Sequence, residues 1–262
     1  MAELLAPDAS ALEPPQAPEN FYAEVIRLMA ESDIPFLLSG TYALACYTQI
    51  NRPTKDVDVF VTAGDCLKML AYFKDRGFDI QMVDERWLAR VFRGDLFVDM
   101  IFNMPTAQTH VSEEWFENAP AARIFDVRVR LVPPTEFIWS KIFVQDRYRY
   151  DGADVAHMIL KRHDEIDWRR LLNRMEMYWE VLLIAVLNFR FIYPSERSLV
   201  PRWLFDELLD RLRAQADMPT PAMKVCRGRI FSPRDYGIDV ADWGFSEAVG
   251  NLEEDYPAVA AR

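Results

Sequence analysis

Apolar positions along the chain change their period several times, and each change marks an element. Phe21, Val25, Leu28 and Met29 recur at helical spacing, and the pattern breaks at Ser32-Asp33, which predicts a first amphipathic helix. The run Pro35-Phe36-Leu37-Leu38 then reads as a short buried strand that stops at Ser39-Gly40. Residues 41–47 resume a helical pattern, so Ser39-Gly40 falls at a strand-to-helix turn. Asp56-Val57-Asp58-Val59-Phe60-Val61 reads as the next strand, β-branched and aromatic, with a polar residue at every second position at its start. A helix over about residues 64–76 follows, with Gly77 placed to end it. Residues 88–92 and 96–102 predict a hairpin around Arg93-Gly94-Asp95, and a further strand over 127–132 ends at Pro133-Pro134.

Beyond those prolines the period becomes helical. Thr135 can cap a helix running to about residue 150, another follows over about 154–161, and residues 168–213 read as mostly helical with interruptions near Pro194 and Pro201. The expected class is therefore α+β: a mixed β-sheet flanked by helices, followed by a helical C-terminal region. The expected organisation is a disordered leader over 1–18, rich in Ala, Pro and Glu, a catalytic domain over 19–150, a helical region over 151–216, and an irregular acidic tail over 217–262.

Composition narrows the function classes. The chain has 262 residues, of which 51% are hydrophobic, enough for a sizeable core. No basic start with an apolar run resembles a signal peptide and no long uncharged apolar stretch follows, which places the protein in the cytoplasm with no membrane partner. Cys46, Cys66 and Cys226 are odd in number and lack metal-ligand spacing, so they read as buried thiols. A formal net charge of −11 disfavours extended nucleic-acid binding, because such binding draws its affinity from neutralised phosphates. A small anionic substrate stays compatible, since bound metal and local basic side chains reverse the sign of a single pocket.

The candidate chemistry lies in three aspartates. Asp56 and Asp58, at i and i+2 on a strand, project to one face, where two unpaired charges repel unless a cation or proton lies between them. The bland alternative is a solvated acidic strand face. Asp99 sits inside the apolar run Leu96-Phe97-Val98-Asp99-Met100-Ile101-Phe102, where an unpaired charge is costly. If its strand neighbours that of Asp56 and Asp58, three carboxylates converge and can hold magnesium, or manganese in its place. If it lies on an edge, Asp99 simply faces solvent. Upstream, Ser39 and Gly40 open a helix whose N-terminal N–H groups can face an anion. Arg52, Thr54 and Lys55 form a polar cluster before the aspartates; the two cations either neutralise a triphosphate or pair with surface acids.

The segment Leu38-Ser39-Gly40, then Ala43, then Arg52-Pro53-Thr54-Lys55-Asp56-Val57-Asp58-Val59 resembles the polymerase beta-type nucleotidyltransferase superfamily. Its "R-x-T-x-D-x-D" form is similar to the small bacterial branch that includes toxin-type and antibiotic-modifying members. The resemblance covers roughly residues 34–160. It implies that Asp56 and Asp58 are metal ligands, that Asp99 is the third carboxylate, and that Lys141, after Pro134-Thr135-Glu136, faces the nucleotide phosphates. The residues themselves leave Lys141 open between a phosphate partner and a snorkelling lysine. Asp151 and Asp154, in the segment similar to the branch's "D-x-x-D", read as structural groups pairing with Arg147 and Arg149. Two departures stand out: Ser39 replaces the first glycine of the usual pair, and residues 41–55 form a longer insert than is usual.

The activity so implied is transfer of a nucleoside monophosphate from an NTP to a hydroxyl, catalysed by Asp56, Asp58 and Asp99 with metal and with release of pyrophosphate. The acceptor stays open between an RNA end, a protein and a small molecule. The rival readings are a non-catalytic nucleotide-binding or toxin–antitoxin partner of the same fold, and a metal-dependent hydrolase. In the helical region, Trp168, Tyr178, Trp179, Phe189, Phe191 and Tyr193 are expected in the core rather than on a base-stacking surface.

Overall fold

The computed structural model describes residues 4–5, 21–54, 56–104 and 110–248. They form two compact units, Met1–Ser140 with His157–Asp167, and Lys141–Ala156 with Trp168–Arg262. Most of the expected leader, the end of the acidic tail and Lys55 lie outside the described residues. Leu4–Leu5, within the expected leader, forms a short strand (β1).

In the first unit, Phe21–Glu31 (α1) buries Val25, Ile26 and Met29, the stripe expected from their spacing. Leu37–Leu38 (β2) leads through Ser39 into Gly40–Thr48 (α2). Asp56–Phe60 (β3) is followed by Ala63–Lys74 (α3), which begins where the Thr62 hydroxyl accepts the Asp65 N–H. Asp79–Asp84 (β4), Leu88–Arg93 (β5) and Leu96–Ile101 (β6) complete a five-stranded mixed sheet of order β2-β3-β6-β5-β4. Only β3 and β6 run parallel; the other pairs are antiparallel. After Glu113–Glu117 (α4), Ala121–Ile124 (β7) and Val127–Arg130 (β8) form a hairpin, with β1 pairing parallel to β7. This small sheet touches the larger one through a single parallel bridge, Leu38 to Leu131. Beside that bridge the Tyr47 hydroxyl donates to the Val132 carbonyl at 2.7 Å.

The strand pleat sorts the side chains. Val57 and Val59 on β3 and their register partners Val98 and Met100 on β6 are fully buried, whereas Asp58 and its partner Asp99 emerge half-buried on the opposite face. Cys46, Cys66 and Cys226 are buried thiols, and burial pushes Cys46 up to about 12 against the opposing charge of Arg162.

Pro134–Lys141 (α5) stops well short of the helix to residue 150 that the pattern predicts. The Asp146 carboxylate accepts the N–H groups of Tyr148 and Arg149 at 2.6 and 2.7 Å, so a side chain competes for backbone donors and turns the chain. In the second unit the turn brings Asp151 and Asp154 to Lys141, whose Nζ lies 2.7 and 2.9 Å from their carboxylates. Gly152–Arg162 (α6) starts there, and Trp168–Arg174 (α7), Trp179–Ile192 (α8) and Arg202–Ala216 (α9) follow; α8 packs on α9, and Val186, Phe189, Leu204 and Leu208 on these helices are buried. The segment expected to be irregular carries two short paired strands, Val225–Cys226 (β9) and Ser246–Glu247 (β10), and a short helix, Gly237–Ala241 (α10). Trp168 and Phe189 are buried as expected, but Phe191 is 87% exposed. No helix among the described residues is long and apolar enough to cross a membrane.

Burial alone pushes the Asp151 carboxyl up, yet Lys141 and Arg149 outweigh it and hold that carboxyl below the ordinary value. A depressed carboxyl stabilises the fold above the ordinary range of about 3.9, and that contribution is lost as pH falls through the folded value. Thermal melts between pH 7 and pH 3 are expected to show a steeper acid loss in the native protein than in Asp151→Asn. Lys141→Met, which takes the ammonium away from two buried carboxylates, is expected to cost about 3–5 kcal/mol in denaturant unfolding at neutral pH.

Candidate active site

Three carboxylates meet on the polar face of the large sheet. Asp58 and Asp99 are register partners across the parallel pair, and Asp56 lies two residues before Asp58 on the same face. One ligand atom from each lies within 4.8 Å of the other two. At that separation and an effective dielectric of about 20, two full charges repel by roughly 3 kcal/mol before solvent screening, so the cluster favours compensating positive charge. The donor set is all oxygen, which suits a hard divalent cation such as magnesium.

Neighbouring groups hold the Asp56 and Asp99 carboxylates and the Asp58 backbone. The Thr54 hydroxyl donates to Asp56 Oδ1 at 2.7 Å and orients that carboxylate. The Ser39 N–H donates to the Asp58 carbonyl at 2.9 Å and fixes the turn against β3. Gly40 stands directly over the Asp58 side chain: a Cβ there would fall 2.2 Å from Oδ2, and its φ of +57° is one that side-chain-bearing residues rarely adopt. Ser39 is the N-cap of α2 but makes no side-chain capping bond.

The residue that sequence reasoning missed is Arg90. Its guanidinium grips Asp99 through two bonds, Nε to Oδ1 at 2.7 Å and Nη2 to Oδ2 at 3.1 Å, and lies 3.9 Å over the Phe97 ring. A signal was present: the two-residue turn Gly94-Asp95 sets the β5–β6 register and places Arg90 opposite Asp99. Of the remaining candidates, Arg52 is exposed in the loop before β3 and Lys55 lies outside the described residues. Lys141, in the second unit, is engaged by Asp151 and Asp154.

The model of the family described as "Nucleotidyl transferase of unknown function (DUF2204)" matches residues 19–186. No curated protein matches the sequence significantly. Among solved structures, the lincosamide antibiotic adenylyltransferase LnuA with lincomycin bound is similar at 13% identity, over 54% of this chain and 96% of that one, with a TM-score of 0.40. ANT(2")-Ia in complex with adenylyl-2"-tobramycin is similar at 13% identity over 66% and 97%, with a TM-score of 0.38. A Helicobacter pylori protein is similar at 13% identity over 84% and 95%, with a TM-score of 0.35.

Because Gly40 leaves no room for a side chain, Gly40→Ala must displace either the turn or the Asp58 carboxylate. The variant is expected to lose about 1–3 kcal/mol of stability in urea unfolding. Gly64→Ala, where nothing lies within 4 Å, is expected to leave stability unchanged or raise it slightly.

Proposed function

The chain belongs to the nucleotidyl transferase family whose model spans residues 19–186, and from that premise we propose that it moves a nucleoside monophosphate from an NTP to an acceptor hydroxyl, releasing pyrophosphate. The observation that carries the reading is the meeting of Asp56, Asp58 and Asp99 within 4.8 Å beside the Ser39-Gly40 turn. These three carboxylates would hold magnesium or manganese, which supplies charge neutralisation at the phosphates and a more acidic acceptor oxygen.

The chain's own groups position and shield. Thr54 keeps one Asp56 oxygen aimed, leaving the other oxygen for a ligand. Gly40, lacking a Cβ, lets the Asp58 carboxylate lie against the turn that opens α2. Arg52 and Lys55, in the segment entering β3, neutralise the triphosphate as it docks. Arg90 presents the Asp99 carboxylate in a fixed orientation. A phosphate-binding role for Lys141 requires it to give up Asp151 and Asp154.

The acceptor is a hydroxyl-bearing molecule; the net charge of −11 favours a small molecule or a protein over long nucleic acid. The test incubates the protein with each α-labelled NTP, Mg²⁺ or Mn²⁺ and a cell extract, then follows label into RNA, protein and small molecules. Wild type is expected to transfer label, and Asp58→Asn to transfer at least about a hundredfold less. No transfer with any NTP, or equal transfer by Asp58→Asn, overturns the reading. Release of free NMP with label in no acceptor would instead identify water as the acceptor and the protein as a hydrolase.

A further inference from the structure

Two of the three carboxylates already accept hydrogen bonds from the protein, and the pattern of those bonds limits how each can meet a cation. Arg90 and Asp99 stand opposite each other across the antiparallel β5–β6 pair. Arg90 Nε donates to Oδ1 at 2.7 Å and Nη2 to Oδ2 at 3.1 Å, so one guanidinium fork engages both oxygens of one carboxylate. Phe97, two residues before Asp99 on the same face of β6, lies 3.9 Å beneath the guanidinium and keeps its plane in place. The pair is shielded from water, with 28% of the Arg90 side chain and 13% of the Asp99 side chain exposed.

An ionised carboxylate offers about four lone-pair sites, two on each oxygen. A cation chelated through both oxygens sits between them in the carboxylate plane, which is the place a forked guanidinium fills. Asp99 can therefore offer a cation one oxygen, from a lone pair outside the fork, but not both together. At Asp56 the Thr54 hydroxyl donates to Oδ1 and opposes chelation through both oxygens there as well. The consequence differs between hard cations. Calcium takes about six to eight oxygens in a flexible shell and commonly fills it with chelating carboxylates. Magnesium and manganese take about six in an octahedron, which carboxylates contributing one oxygen each suit. We infer that Arg90 is a positioning residue that makes the aspartate cluster selective for small octahedral divalent cations over calcium, by keeping Asp99 from chelating through both oxygens. This selectivity rests on the three aspartates being the metal site of the proposed transfer reaction, and it assigns what sets the choice of ion there.

The test needs no turnover. Electron paramagnetic resonance of free Mn²⁺ gives its affinity for the full chain, and displacement of bound Mn²⁺ by Ca²⁺ gives that of Ca²⁺. Wild type is expected to hold Mn²⁺ at least about tenfold more tightly than Ca²⁺. Arg90→Gln, which removes charge and fork together, is expected to tighten both ions and to narrow the preference at least about fivefold, because only Ca²⁺ gains from the second Asp99 oxygen. Arg90→Lys, which keeps the charge without the fork, is expected to narrow the preference by a similar factor. It decides alone if Arg90→Gln does not fold. A wild type without the preference, or a preference kept in either folded variant, overturns the inference. Absence of Mn²⁺ binding in wild type, or undiminished binding in Asp56→Asn/Asp58→Asn, removes the metal site and this selectivity with it. Mn²⁺ binding that is lost in Asp56→Asn/Asp58→Asn, beside a preference that Arg90 does not move, removes the selectivity alone.

Discussion

In a parallel strand pair, residues in register turn their side chains to the same side, and the β3–β6 ladder therefore decides where every charge of the site falls. Val57 and Val59 pack with Val98 and Met100 on one face. Each such side chain contributes roughly 1.5–3 kcal/mol by leaving water. A slip of one residue would bury the aspartates and expose the valines, so the apolar face enforces the register and the register brings Asp58 to Asp99. Packing on one side of the sheet thus maintains an electrostatically unfavourable cluster on the other.

Compensation for that cluster is uneven. Asp99 is gripped by both arms of Arg90, while Asp56 receives only a hydroxyl proton from Thr54. Asp58, for its part, lies against the Gly40 turn. In the second unit, the Lys141 ammonium offsets two buried carboxylates, Asp151 and Asp154.

Much of this was legible in the sequence. The alternation in Asp56-Val57-Asp58-Val59 and the apolar run around Asp99 carry both strands, and the neighbour relation that Asp99 required is the one found. The strand-to-helix turn at Ser39-Gly40 was equally visible. β4 was not, because its residues are half-buried or exposed throughout and give no alternation to detect. The early end of α5 depends on Asp146 capturing two backbone N–H groups, a choice that helical periodicity does not reveal. Arg90 was hidden for another reason: its role comes from cross-strand register, which a residue-by-residue scan for acidic ligands passes over.

The central claim is that the three aspartates act together on one divalent ion. It is tested most directly by electron paramagnetic resonance titration of free Mn²⁺ against the protein, with and without a non-hydrolysable NTP analogue. The account predicts saturable Mn²⁺ binding that tightens with the analogue, that is lost in Asp56→Asn/Asp58→Asn, and that is weakened in Asp99→Asn. Undiminished Mn²⁺ binding in Asp56→Asn/Asp58→Asn would contradict it.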